Sequence, residues 1–168
     1  MIFDVWPDGR FEMGGRRTRA VLGRGGVKAA ADKREGDGAT PAGTWPIRRV
    51  FYRPDKGPRP TTAFPVSPIG PDDGWCDAPD DAAYNRPVGL PYPASAERLW
   101  RGDDLYDLLV VLGHNDDPPI AGMGSAIFLH LQRRDLGPTD GCVALSRGDL
   151  EAFLALAQPG DAVSIHAV

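Results

Sequence analysis

The order of apolar and polar positions along the chain predicts a series of short strands and a single clear helix. Ile2 to Trp6 and Phe11 to Met13 flank Pro7-Asp8-Gly9-Arg10, the pattern of a β-hairpin. Arg19 to Leu22 reads as a short strand ahead of Gly23, and a Gly- and Lys-rich loop runs from Gly25 to Gly43. Thr44 to Tyr52 is rich in β-branched and aromatic residues and predicts a strand. Pro46 has no N–H for a ladder, which puts that strand at a sheet edge or at a bulge. Leu105 to Leu112 is a continuous apolar run of strand length, as in a buried strand. Ala126 to Gln132 alternates, with Ile127, Leu129 and Leu131 on one face and Phe128, His130 and Gln132 on the other. Only Ser146 to Ala157 has helical spacing, in Leu150, Phe153, Leu154 and Ala157. Ser146 is its cap, Asp149 the acidic half of a capping box, and Pro159-Gly160 its stop. Ala162 to Val168 alternates as a last strand.

Between these elements, Arg53 to Pro93 is dominated by Pro, Gly, Asp and aromatic residues and has little period. It reads as a long ordered loop region with room for one short strand. Trp75, Tyr84 and Tyr92 are its apolar anchors, and such an insertion often serves as a binding loop or lid. Ala94 to Trp100 reads as one helical turn.

Composition fits this picture. At 168 residues, with 42% hydrophobic and 25% charged residues, the chain is expected to form one globular domain over residues 1–168. Its 21 glycines and 17 prolines suit many short elements joined by turns, hence a mainly β fold with one or two short helices and long loops. A net charge of −4 gives no overall pull toward nucleic acid or an anionic membrane. No stretch approaches the length of a membrane span, and a monomer is expected. Met1-Ile2-Phe3-Asp4-Val5-Trp6 has no basic n-region and no apolar h-region. The expectation is therefore a cytoplasmic protein if the chain is complete, and a periplasmic or cell-wall one if a leader was removed. Basic residues cluster from Arg16 to Arg34 and acidic ones from Asp72 to Asp81. Each run reads as a solvated surface, the basic one alternatively as an attractor of an acidic ligand. Cys76 and Cys142 are too few for a disulfide framework.

The candidate chemistry lies between Leu129 and Val143. His130 sits on a strand face opposite the aliphatic residues. A loop of about ten residues then ends in Thr139-Asp140-Gly141-Cys142, just before the capped helix. A thiol of pKa about 8.5 is only slightly ionised at neutral pH, and a neighbouring imidazole raises that fraction. Gly141 would let the backbone turn sharply and leave room for a substrate carbonyl, and backbone N–H groups near Cys142 would form an oxyanion hole. Taken singly, the cysteine reads as a small buried hydrophobe and the histidine as a satisfied structural one. Cys76 is a poor nucleophile, since it has no nearby His and its Asp neighbours raise its pKa.

In these residues the sequence resembles the YkuD-type L,D-transpeptidase family, in its short stand-alone branch. That family's motif is a strand His, a loop, then Ser or Thr, any residue, and Gly-Cys. Here it reads His130, the loop, Thr139-Asp140-Gly141-Cys142. A second element, Thr-Pro-x-Gly, is Thr40-Pro41-Ala42-Gly43, and the likeness runs from about Arg19 to the end. The resemblance implies a YkuD-like β-sandwich and a thioacyl-enzyme formed by Cys142 on peptidoglycan tetrapeptide stems, at the L-centre before the terminal D-Ala. It implies His130 as base, oriented by the Leu131 carbonyl, and acylation of the nucleophile by carbapenems. It implies no cofactor and no metal. The partner would be a stem peptide or muropeptide.

Two departures stand out. Many members have His where this chain has Asp140, whose carboxylate would either orient His130 or raise the thiol pKa. Many also have Arg two residues after the Cys, where this chain has Ala144, so another base would bind the substrate carboxylate. Lys28, Lys33, Arg133 and Arg134 are the candidates. Thr139, Asp140 and His114 are further candidate contacts in the same cleft. Within acyl transfer, an amine acceptor makes an L,D-transpeptidase and water an L,D-carboxypeptidase. The rival classes are a zinc hydrolase using His114, His130, Asp140 and Cys142, and a non-catalytic peptidoglycan-binding domain with an inert Cys142.

Overall fold

A computed structural model describes residues 1–167. The N-terminal hairpin forms as expected, with β1 (Ile2–Val5) antiparallel to β2 (Arg10–Met13). The next strand, β3 (Arg16–Arg19), lies earlier than the expected Arg19 to Leu22. Val21 and Gly23 instead make single bridges to Ala144 and Thr139, which tie this stretch to the turn that carries Cys142. The expected loop from Gly25 to Gly43 contains β4 (Val27–Ala29), a 3₁₀ turn (Ala30–Asp32) and the start of β5 (Thr40–Tyr52).

β5 is the spine of the fold. Its first part pairs with β13 (Ala162–Ile165), and its second part pairs with β10 (Leu108–Leu112). Pro46 lies where β5 passes from one partner to the other, beside a register shift. The bulge expectation therefore holds and the edge expectation does not, because a strand that changes partners needs a bend where one ladder bond is missing. One ladder path runs β12 (Val143–Leu145), β11 (Phe128–Leu131), β10, β5, β13, β1, β2, β3, with β4 and β6 (Val66–Pro68) also on β5. Of the last expected strand, Ala162–Ile165 is observed, and Val168 lies outside the described residues.

The two halves of this path pack face to face as a sandwich. Phe3, Val5, Val163 and Ile165 from one half meet Val110, Leu129 and Val143 from the other. The helix α1 (Arg147–Leu156) adds Leu150, Phe153 and Leu154 to the same core. Ser146 caps it by accepting the Asp149 N–H, a contact that contributes about 1 kcal/mol. No helix among the described residues is long and apolar enough to cross a membrane.

The long region expected to be loop is instead a second layer. β7 (Asp73–Cys76) sits between β8 (Pro87–Gly89) and β9 (Ala96–Arg98) in a small antiparallel sheet. The expected helical turn at Ala94 to Trp100 is thus largely the strand β9. Trp75 and Tyr84 are buried anchors as expected. Trp75 packs edge-on against Phe128 at 5.1 Å, within a second apolar cluster that holds Leu109, Val111 and Cys142. β10 is therefore covered on both faces, which explains its unbroken apolar run.

Candidate active site

The register of β11 and β12 brings the candidate pair together. These parallel strands align Leu129 with Val143 and His130 with Ala144. Side chains alternate with period two, so Leu129 and Val143 enter the sandwich core. Phe128, His130, Cys142 and Ala144 then share the opposite face. Cys142 precedes β12 there, with the Phe128 N–H directed at its Sγ at 3.4 Å. Cys142, His130 and Ala144 all border one pocket of about 420 Å³. Ala144, opposite His130, leaves the volume in front of the ring unfilled by a longer side chain.

The Thr139–Cys142 turn is held by its own residues. The Thr139 hydroxyl donates to the Cys142 carbonyl at 2.7 Å and accepts the Gly141 N–H at 3.1 Å. The Thr40 hydroxyl lies 3.5 Å from the same carbonyl and accepts the Gly23 N–H at 2.9 Å. The Thr40 and Thr139 elements, far apart in sequence, therefore converge on the main chain of Cys142. Thr139 borders the pocket, but its hydroxyl is committed to the turn. Gly141 has φ of +130°, and a Cβ there would lie 2.8 Å from the Ala39 carbonyl oxygen. The missing side chain thus admits neighbouring backbone, where the sequence suggested room for substrate.

The electrostatics define a neutral pair at rest. His130 is buried and its Nδ1 lies 2.8 Å from the Leu131 carbonyl oxygen. A carbonyl only accepts, so Nδ1 carries the proton and Nε2 presents a lone pair. Burial pushes the imidazole pKa down to about 4, against the opposing pull of the Leu131 carbonyl. Burial likewise pushes the Cys142 thiol up to about 12, with Glu97 and Asp140 adding to the rise. The Sγ donates to the Ala126 carbonyl at 3.2 Å. The expected gain in resting thiolate is therefore absent, because loss of water disfavours both charged forms.

The remaining expected residues fall into place unevenly. Asp140 is 88% exposed in its side chain and pairs with Arg24 at 3.0 Å, so it does not orient His130 but does raise the thiol pKa. Lys33 borders the pocket, yet it is 3% exposed and its ammonium is held by Asp37 at 2.6 Å. Lys28 also pairs with Asp37. Arg133 borders the pocket and lies close enough to His130 to lower its pKa further. Arg134 points away, 94% exposed, toward Asp104. His114 is buried against Trp45 at 4.8 Å and is not among the residues that border the pocket. Among the described residues, no three His, Cys, Asp or Glu side chains converge to hold a metal ion.

The opposite wall of the pocket comes from residues that the sequence does not flag. Asp77, Glu97, Arg101 and Tyr106 border the same cavity. Tyr106 packs edge-on to His130 at 5.4 Å and donates its hydroxyl to Glu97. Glu97 is half-buried and loss of water raises its pKa, with the Tyr106 hydrogen bond opposing the rise. Arg101 forms a two-point pair with Asp103. Period and motif carry no signal for these positions, since strand pairing assembles the wall.

A His on one strand of a β-sandwich and a Cys at the entrance of the next, bordering a pocket lined by charged groups, suit acyl transfer on a charged substrate. A family model for the YkuD L,D-transpeptidase catalytic domain matches residues 3–165, and the chain belongs to that family. It is a catalytic domain of the L,D-transpeptidase kind, from a family that acts on peptidoglycan peptides. No curated protein and no solved structure matches it.

Proposed function

We propose that the protein is a cysteine acyl-transfer enzyme that cleaves the L,D bond before the terminal D-Ala of peptidoglycan tetrapeptide stems. The observation that carries this reading is the Nδ1 contact of His130 with the Leu131 carbonyl, which leaves Nε2 as the proton acceptor of a residue that borders the same pocket as Cys142. The Cys142 Sγ attacks the carbonyl carbon of the third residue as its proton passes to Nε2 of His130. Starting from a neutral pair, proton transfer accompanies attack, and no resting thiolate is needed. The tetrahedral adduct collapses, the C–N bond breaks, and the imidazolium returns the proton to the departing D-Ala amine. A thioester remains on Cys142. Water or the amine of a second stem then attacks it, again losing a proton to His130, and the thiol leaves.

Incubation with a muropeptide tetrapeptide, with mass spectrometry of products, tests the reading. Tripeptide alone means hydrolysis and a cross-linked dimer means transpeptidation. A carbapenem adduct is expected on the wild type and absent from Cys142→Ala. If wild type gives neither product nor adduct, the proposal fails, and the non-catalytic binding domain takes its place.

A further inference from the structure

The charges around the pocket are nearly all spent on one another. Arg24 pairs with Asp140, Lys33 with Asp37, and Arg101 with Asp103. Among the acids, Glu35 accepts the Tyr84 hydroxyl and Glu97 that of Tyr106. Asp77 is different. Its Oδ1 is buried and accepts no hydrogen bond among the described residues.

Strand register explains where it points. In the small sheet Trp75 pairs with Glu97, and the ladder continues with the Asp77 N–H donating to the Ser95 carbonyl at 3.2 Å. Asp77 lies two residues after Trp75 and so shares its face, the one turned toward Phe128 and the pocket. The other acids of this run are used elsewhere. Asp73 accepts the Gly70 N–H, and Asp81 accepts the Tyr92 hydroxyl and the Ala83 N–H, while Asp72 and Asp80 are exposed. The residue as a whole is half-buried and borders the pocket, so a cationic group that occupies the pocket would supply the partner this carboxylate lacks.

We infer that Asp77 is a cation subsite that reads a side-chain ammonium on the third residue of the donor stem. This rests on the acyl-transfer reading for its substrate, but not for its geometry. Both lysine and diaminopimelate carry that ammonium. The ion pair would form in the pocket wall, where loss of water strengthens it, so its removal costs about tenfold in binding.

The test uses three tetrapeptides that differ only at the third residue, with lysine, diaminopimelate or norleucine. Wild type and Asp77→Asn are compared by kcat/KM, and the same peptides are titrated calorimetrically into Cys142→Ala and into the double variant that combines Cys142→Ala with Asp77→Asn. Asp77→Asn keeps the side-chain volume, and a melt establishes that it folds. The expected result is that norleucine is about tenfold worse than lysine in the wild type and within about twofold of it in Asp77→Asn. Better use of diaminopimelate than lysine, lost in Asp77→Asn, supports the subsite equally and names the source of the ammonium. An equal penalty for norleucine in both proteins overturns it, as does absence of binding. Turnover without an ammonium preference sinks the subsite alone. An Asp77-dependent preference in the titrations without any turnover or carbapenem adduct sinks the acyl-transfer reading and leaves the subsite standing.

Discussion

The two sides of the pocket are built in opposite ways. On one side, the Thr139 hydroxyl closes the turn from Thr139 to Cys142 on itself, and Thr40, Arg24 and Phe128 brace it from outside. On the other, Asp77, Glu97, Arg101 and Tyr106 come from a strand end, a strand and a connection, held in place by the pairing of very short strands. The first side has its polar groups paired, within the turn or with its neighbours. The second leaves the Asp77 Oδ1 without a hydrogen-bond partner among the described residues. The difference teaches that reactivity here is a local property of the chain, while recognition depends on the fold. Substitutions on the two sides should accordingly move different kinetic constants.

The largest effects test the reactive side. His130→Asn is expected to lower kcat by about 10²–10⁴-fold with little change in KM, since it removes a proton acceptor and no binding contact. Asp77→Asn should act chiefly through KM. If both lowered kcat alone, the division between the two sides would collapse. The pH profile sharpens the same point. His130 has a folded pKa of about 4, below its unfolded value of 6.5. The unfolded chain binds more protons between those values, so the stability held by the neutral imidazole is complete above pH 6.5 and is lost as pH falls toward 4. The base is neutral over the same range, so kcat/KM should stay level down to about pH 5. An acid limb centred near 6.5, the ordinary imidazole value, would mean that His130 is solvated.

Legibility in the sequence follows the same division. His130, Gly141 and Cys142 are readable because a strand period, a glycine and a cap sit at fixed short spacings. The helix at Arg147–Leu156 and the strand at Leu108–Leu112 are readable because each has a core on at least one face. β7, β8 and β9 are not, since each has three or four residues and β8 and β9 bury little of their own surface. Their positions come from Trp75 and its packing on Phe128. Pro46 misleads in part because a proline inside a sheet marks an edge unless the strand changes partners there. Lys33 and Arg133 look equivalent in sequence, but in the fold Asp37 has already claimed Lys33.

Backbone and wall substitutions come next in size. Gly141→Ala would force a residue with a Cβ to keep φ near +130° and push that Cβ into the Ala39 carbonyl. A loss of about 1–3 kcal/mol in unfolding free energy is expected, read by denaturant titration, together with lost activity. A stable, active Gly141→Ala protein would show that the turn is less constrained than its contacts with Ala39 require. Tyr106→Phe removes the hydroxyl that Glu97 accepts and leaves a half-buried acid without that donor. It should cost about 1–3 kcal/mol, and Tyr106→Phe combined with Glu97→Gln should recover part of that loss by removing the charge.

The smallest expected effect falls on the motif residue that stands next to the nucleophile's glycine. Asp140 is adjacent in sequence, but its carboxylate is exposed and tied to Arg24, whereas Glu97 is remote in sequence and half-buried in the wall. Both raise the Cys142 thiol, Glu97 more than Asp140. Water and salt screen the exposed charge, with a Debye length of about 8 Å at roughly 0.15 M ionic strength. Asp140→Asn should therefore change the rate of Cys142 alkylation by less than about threefold at fixed pH, and salt at about 0.5 M should erase the difference. Glu97→Gln should speed alkylation more, and its effect should survive the same salt. A salt-resistant effect of Asp140→Asn larger than that of Glu97→Gln would mean that sequence proximity outweighs burial at this thiol, the reverse of what separates the two sides of the pocket.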